Sequence, residues 1–286
     1  MGTEKRERQK TNRQARLEEL QRQQRKAKNR KLVLRWTLIV VLAGAAIYGI
    51  SLYVNRDDGN TATSTTTLGT AGTTTTIVTG NTFAYGTGAC PPTDGSATRT
   101  TTFTDAPQKC IDPNKTYKAQ FDTSEGKVEV QLDTTLTPGT VNNFVTLARW
   151  KYYDGTSIFR TDTSIDIIQG GGKTNTDSPG YTIPDEGGTF TWTDSGGKGP
   201  FTYQAGDLVM ARAGSPDSGG GQWFFGVGPN VANLDSQGTY VTFGKVTQGL
   251  DVLQKILGLN VDDPSSGLGG APSPAVTVNS VTITES

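Results

Sequence analysis

No histidine occurs in this 286-residue chain, and only two cysteines do. Two thiols without an imidazole are too few ligands for a metal site, so no metal and no cofactor is expected. Charge is balanced overall, with 27 Lys and Arg against 27 Asp and Glu, but not locally. Residues 1–35 carry 13 basic and 4 acidic side chains, which leaves 14 basic and 23 acidic for the rest. A basic arm of this kind suits nucleic acid, an anionic membrane surface or plain solvation. It contains no aromatic residue to stack on bases, so no nucleic-acid partner is expected. Its apolar residues are too sparse for a coiled-coil seam. Helix formers abound and neither Gly nor Pro follows Gly2, so a solvated or lipid-surface helix is predicted.

Charge then disappears. From Trp36 to Val54, 19 residues carry none, and at about 1.5 Å per residue such a helix nearly spans a hydrocarbon core of about 30 Å. Arg35 bounds the run on one side and Arg56, Asp57 and Asp58 on the other, with Trp36, Tyr48 and Tyr53 near its ends. The basic flank comes first. The reading is a single-pass cell-membrane protein with a cytoplasmic N-terminus and everything after Val54 extracytoplasmic. A cleaved signal peptide has a shorter basic region and apolar core, although Ala43–Ala46 keeps cleavage open. Residues 55–88 are mostly Thr, Ser, Gly and Ala between Thr61 and Thr76, and read as a linker, either a plain tether or an O-glycosylated stalk.

Cys90 and Cys110 both fall on the side placed outside, where an oxidising compartment favours pairing. A structural disulfide is expected, closing a loop of about 20 residues and stabilising by roughly 3 kcal/mol in the chain-entropy model. Beyond it the pattern turns β-rich, with no internal repeat. YKAQFDT-SEG-KVEVQLD predicts a hairpin in which Val128, Val130 and Leu132 alternate on one face. Pro138 and Gly139 break the chain and Thr140 can cap a helix, with Val141, Phe144, Val145 and Ala148 at helical spacing. Further strands are predicted in TSIFR, IDIIQ, DLVMAR, QWFFGV, YVTFGKV and VTVNSVTITES, and a second helix at Leu250–Leu257. The class that follows is mainly β, a barrel or sandwich with helical caps. GGGK at Gly170–Lys173 lacks the spacing and the Ser or Thr of a phosphate-binding loop.

Six segments in order then carry a resemblance: SIFRTDTSIDIIQGG, GYTIPDE, GDLVMARAG, GGGQWFFGV, NLDSQGTYVTFGKV and GLDVLQKI. Together they resemble the cyclophilins, peptidyl-prolyl cis–trans isomerases, from about Lys115 to Ser286. The resemblance implies an eight-stranded antiparallel closed β-barrel capped by two helices, here preceded by one transmembrane helix. It maps the catalytic arginine onto Arg160 and the glutamine that orients it onto Gln169. By the same mapping, Gln222 supplies a hydrogen bond and Phe224 the floor of the proline pocket. Ile167 stands where methionine is usual, Met210 and Ala211 lie beside the groove, and Ala213 offers backbone to extended substrate. Leu234 matches the pocket leucine, and Tyr240 replaces a frequent histidine. The domain boundaries expected are 1–35 for the arm, 36–54 for the membrane helix, 55–88 for the linker, 89–114 for the bridged extension and 115–286 for the isomerase.

Some positions depart from the family pattern. Phe159 replaces the histidine beside the arginine, Arg212 an asparagine, and Asn233 a tryptophan that favours cyclosporin. One extra residue between Arg160 and Gln169 puts the pocket phenylalanine position on Ile165 or Asp166, and the loop Ser236–Thr239 is longer than usual. The partners implied are proline-containing segments of secreted or envelope proteins. A non-catalytic proline-peptide-binding module is the competing expectation. A structural envelope protein, for which the anchor matters more than the groove, is the third.

Overall fold

The computed structural model describes residues 65–70, 73–79, 83–193 and 196–286. The expected arm over 1–35 and membrane helix over 36–54 lie outside the described residues. Among the described residues no helix is long and apolar enough to cross a membrane.

Fifteen strands and two α-helices follow one another along the described chain. The first two strands are β1 (Thr65–Thr70) and β2 (Thr73–Thr79), in the stretch expected as a linker. Their Thr-rich, β-branched composition favours extended backbone over helix. The predicted hairpin is β3 (Tyr117–Thr123) and β4 (Gly126–Leu132), with Val128, Val130 and Leu132 all buried. Then come helix α1 (Pro138–Arg149) and strands β5 (Thr156–Ile158), β6 (Arg160–Asp162) and β7 (Ile167–Gly170). They are followed by β8 (Thr189–Thr193), β9 (Gly196–Lys198), β10 (Asp207–Met210) and β11 (Trp223–Gly226). After a 3-10 turn at Pro229–Leu234 the chain forms β12 (Thr242–Gln248) and helix α2 (Leu250–Gly258). Strands β13 (Asn260–Asp262), β14 (Gly270–Pro272) and β15 (Val276–Glu285) complete it.

Eleven strands join in one curled antiparallel sheet, ordered β13-β14-β6-β7-β11-β10-β12-β4-β3-β15-β5. The far strand β5 also reaches back past β7, where the Ser157 amide donates to the Gly172 carbonyl at 2.9 Å. A second, smaller sheet of four strands is ordered β1-β2-β8-β9, and β8 packs Phe190 and Trp192 into the common core. Inside the curl, Phe121, Phe144, Trp223, Phe225 and Phe243 are buried, with Trp223 5.1 Å and Phe225 5.2 Å from Phe121 between ring centroids. Helix α1 presses Phe144 into this cluster, and α2 contributes Leu253 and Ile256.

Two local expectations are corrected. Thr140 is not the cap of α1: the helix begins at Pro138, and Thr140 lies within its first turn. The exposed amides of that turn are met instead by a carboxylate distant in sequence. Glu186 Oε1 accepts from the Gly139 amide at 2.9 Å, and Oε2 from the Thr140 amide at 2.8 Å and hydroxyl at 3.0 Å. A buried anion at a helix N-terminus satisfies donors that have no partner within the helix. The strand predicted from Ile165 starts only at Ile167, because Asp166 takes a left-handed conformation with φ of 48°.

The expected disulfide is present between Cys90 and Cys110, with Cα atoms 5.4 Å apart. The extension it closes is pinned to α1 by Asn142. That side chain accepts from the Cys110 and Ile111 amides at 2.6 and 3.1 Å and donates to the Gln108 carbonyl at 2.9 Å.

Candidate functional site

Strand register brings the expected catalytic residues together. Arg160 on β6 is directly opposite Gln169 on β7, and Gln169 is directly opposite Phe224 on β11. The three thus form one row across neighbouring strands, where side chains opposite each other come within contact distance. Gln222 lies two residues before Phe224 and Ile167 two before Gln169, so the alternation of an extended chain turns each pair to the same face. All five line a groove of about 1030 Å³.

The polar members are linked in a chain. Arg160 Nη1 donates to Gln169 Oε1 at 3.1 Å, Gln169 Nε2 to Gln222 Oε1 at 3.1 Å, and Gln222 Nε2 to the carbonyls of Asn175 and Asp177 at 3.0 and 2.9 Å. From the other direction, Arg160 Nη2 pairs with Asp162 Oδ2 at 2.9 Å and Nε donates to the Leu268 carbonyl at 2.6 Å. These contacts use one N–H on each guanidinium nitrogen, so each terminal nitrogen keeps a second donor free for a substrate. The Arg160 side chain is 21% exposed. It is a held cation at the groove wall, neither fully solvated nor sealed.

The apolar floor lies beside it. Phe224 is buried at 3% exposure, and the Tyr240 ring stands edge-on to it with centroids 5.5 Å apart. Leu234, from the 3-10 turn, and Ile165 add to the apolar lining. Of the two candidate positions Ile165 and Asp166, it is Ile165 that lines the groove. Asp166 instead turns its carboxylate to the Asn230 amide, which donates to Oδ2 at 2.8 Å.

Of the ten residues expected to catalyse or bind substrate, nine line the groove. Met210 does not. It is 3% exposed and its side chain packs toward Gly219, so it supports the strand from the core side. Ala211 and Ala213 do line the groove. The Ala213 carbonyl already accepts from Arg212 Nη1 at 2.8 Å. Arg212 itself spends its donors inward, on the Thr239 carbonyl and hydroxyl and on the Ala213 and Ser215 carbonyls. Its guanidinium lies over Trp192 at 4.4 Å and Tyr240 at 5.0 Å, a cation between two ring faces. Burial pushes its pKa down, and Asp185 opposes that shift. This cation shapes the groove's edge.

Two contributors were not among the residues expected. Asp162, which holds Arg160, follows it by two residues on a strand, a spacing that places both on one face. Tyr181 belongs to the segment GYTIPDE and forms part of the opposite wall. Its hydroxyl donates to Asn143 Oδ1 at 2.7 Å, and desolvation raises its pKa. Among the described residues no cluster of His, Cys, Asp and Glu suits a metal ion.

Comparison with known proteins gives the family. The family model for cyclophilin type peptidyl-prolyl cis-trans isomerase/CLD matches residues 118–283. Peptidyl-prolyl cis-trans isomerase B of Bacillus subtilis (strain 168) is 39% identical over 127 residues, 44% of this chain and 79% of its own length. A peptidyl-prolyl cis-trans isomerase of Helicobacter pylori is 34% identical over 161 residues, covering 51% of this chain and 90% of that one. The crystal structure of a Cryptosporidium parvum cyclophilin type peptidyl-prolyl cis-trans isomerase aligns over 59% of this chain and 98% of that one, at 22% identity and a TM-score of 0.45. The chain belongs to the cyclophilin-type peptidyl-prolyl cis–trans isomerases.

Proposed function

We propose that the groove isomerises Xaa-Pro bonds by electrostatic stabilisation of the twisted amide, with Arg160 as the cation and Gln169 orienting it. The observation that carries this reading is the row Arg160–Gln169–Phe224, which sets a held guanidinium next to a buried aromatic floor. Amide resonance gives the planar bond a rotational barrier of about 18–20 kcal/mol. Unaided exchange therefore takes about 10–100 s. Turnover near a thousand per second requires removing roughly 6–7 kcal/mol of that barrier. Twisting the bond localises an electron pair on the prolyl nitrogen, and a fixed donor there favours the twisted state over the planar one. The floor made by Phe224, Leu234 and Ile165 anchors the proline ring.

The same reading treats β5 and β6 as one strand interrupted at Phe159, whose amide donates to the Gln169 carbonyl at 3.1 Å. With the Ser157–Gly172 bridge this supports a ring of eight strands, a closed barrel with α1 and α2 as its caps. The disulfide supports an oxidising compartment for residues 89–286. The uncharged run over 36–54 and its basic flank support a membrane-anchored bacterial form with the isomerase domain extracytoplasmic. Its clients are then proline-containing segments of secreted or envelope proteins.

Exchange spectroscopy on a short Xaa-Pro peptide with the full-length chain at substoichiometric concentration tests the activity. Cross-peaks between cis and trans resonances that grow with protein concentration are expected. A peptide that binds without faster exchange would identify a binding module in place of a catalyst.

A further inference from the structure

We infer that the disulfide-bridged extension acts as a brace for the groove's irregular wall, with Phe103 as the positioning residue that carries the brace inward. The inference rests on the isomerase reading above. The extension precedes the family-matched residues 118–283. The wall it reaches is the stretch 173–182, in which Asn175, Asp177, Pro179 and Tyr181 line the groove. This stretch lies between β7 and β8 and forms no strand of its own, so no ladder of backbone hydrogen bonds holds it.

Phe103 supplies three contacts there. Its amide donates to the Pro179 carbonyl at 2.8 Å. Its ring stands edge-on to Tyr181 with centroids 6.2 Å apart, and 6.5 Å from Trp150 at the end of α1. Its carbonyl sits so close over Gly180 that a Cβ there would fall 2.5 Å from the oxygen, at a φ of +101° that suits glycine. From Tyr181 the contact continues inward. Tyr181 donates to Asn143, and Asn143 Nδ2 donates at 2.7 Å to the carbonyl of Gly220, itself part of the groove.

Phe103 is in turn fixed from outside. Cys90–Cys110 closes the loop that contains it, and Asn142 ties the closing end to α1. Two bonds tie the loop to its surroundings: the Gly88 amide, just before it, donates to the Ala106 carbonyl at 2.9 Å, and the Thr100 amide to the Trp150 carbonyl at 2.9 Å. A wall ordered before substrate arrives costs less to order on binding. The effect therefore falls on binding more than on the chemical step, because Arg160 and Gln169 are fixed on β6 and β7 by strand pairing and meet the braced wall only at one remove, through Gln222.

The test measures kcat and KM for an Xaa-Pro peptide with the full-length chain and with Phe103→Ala and Phe103→Leu, following thermal unfolding alongside. KM is expected to rise about tenfold in Phe103→Ala with kcat within about twofold, Leu restoring most of the difference. Reduction of the disulfide in the wild type should raise KM in the same direction. A fall in kcat at constant KM, or no change in a folded Ala variant, overturns the brace. If Phe103→Ala does not fold, Phe103→Leu and the reduced wild type are read by the same criterion. A wild type without catalysis refutes the isomerase reading instead; peptide titration then decides, with weaker binding by Phe103→Ala supporting the brace and equal binding overturning it.

Discussion

On one side of the groove, Arg160, Gln169 and Phe224 stand on neighbouring strands whose backbones are fixed by ladder hydrogen bonds. On the other, residues 173–182 run irregularly and depend on side chains and on the extension for their position. The difference separates two tasks. Groups that stabilise a transition state need positions set before substrate arrives, which strands supply at little further cost. A wall that admits varied peptide chains tolerates a looser frame, provided something outside it limits the motion.

Perturbations of stability sharpen this comparison, in descending size. Phe224→Ala removes a buried ring from the strand side and is expected to cost about 3–5 kcal/mol in denaturant unfolding, with both kcat and KM impaired. Cys90→Ala with Cys110→Ala frees the extension and should cost about 3 kcal/mol, but leave kcat near wild type. A large fall in kcat from this pair would break the division of tasks. Glu186→Gln replaces one of the two acceptor oxygens at the N-terminus of α1 with a donor and leaves a first-turn amide unmet, for a loss of about 1–2 kcal/mol in the same assay.

The smallest effect is a dependence on pH. Desolvation pushes the Asp185 pKa up to about 6, with Asp217 adding to the shift while the Asp217 amide and the Arg212 cation oppose it. The folded protein thus holds this proton more tightly than the unfolded chain does. Stability contributed by the protonated group is full at low pH and is lost as pH rises from the ordinary aspartate range through about 6. Burial raises the Glu186 pKa too, so its contribution has the same sign. Asp185→Asn should flatten the pH dependence of thermal stability across this window relative to wild type. An unchanged slope would show that the Asp185 proton is held no more tightly in the folded state than in the unfolded one.

Much of the strand side was legible in the sequence, because its signals are local. Alternation announced β4, helical spacing announced α1, and the order of short motifs placed Arg160, Gln169 and Phe224. What escaped depends on contacts between distant segments. The cap of α1 is Glu186, some 46 residues from Thr140, and no local pattern distinguishes it from a solvated glutamate. Met210 sits at the end of a strand buried along its whole length, where alternation gives no direction. The short strands β9, β13 and β14 exist because partners lie beside them, and segments as short as GGK, NVD and GAP read equally well as loop. Arg212 stood out in the sequence only as a replacement for the family's asparagine. Its enclosure between Trp192 and Tyr240 joins residues 20 and 28 positions away, on segments that only the fold brings together.

The central claim is that the Arg160 cation does the electrostatic work of isomerisation. It is tested most directly by the exchange rate of a saturating Xaa-Pro peptide with the wild-type chain and with Arg160→Ala. The account predicts a fall in kcat of about 10²–10³-fold, or about 2.7–4 kcal/mol, in a variant that still folds and still binds peptide. An Arg160→Ala chain that retains the wild-type kcat would contradict it.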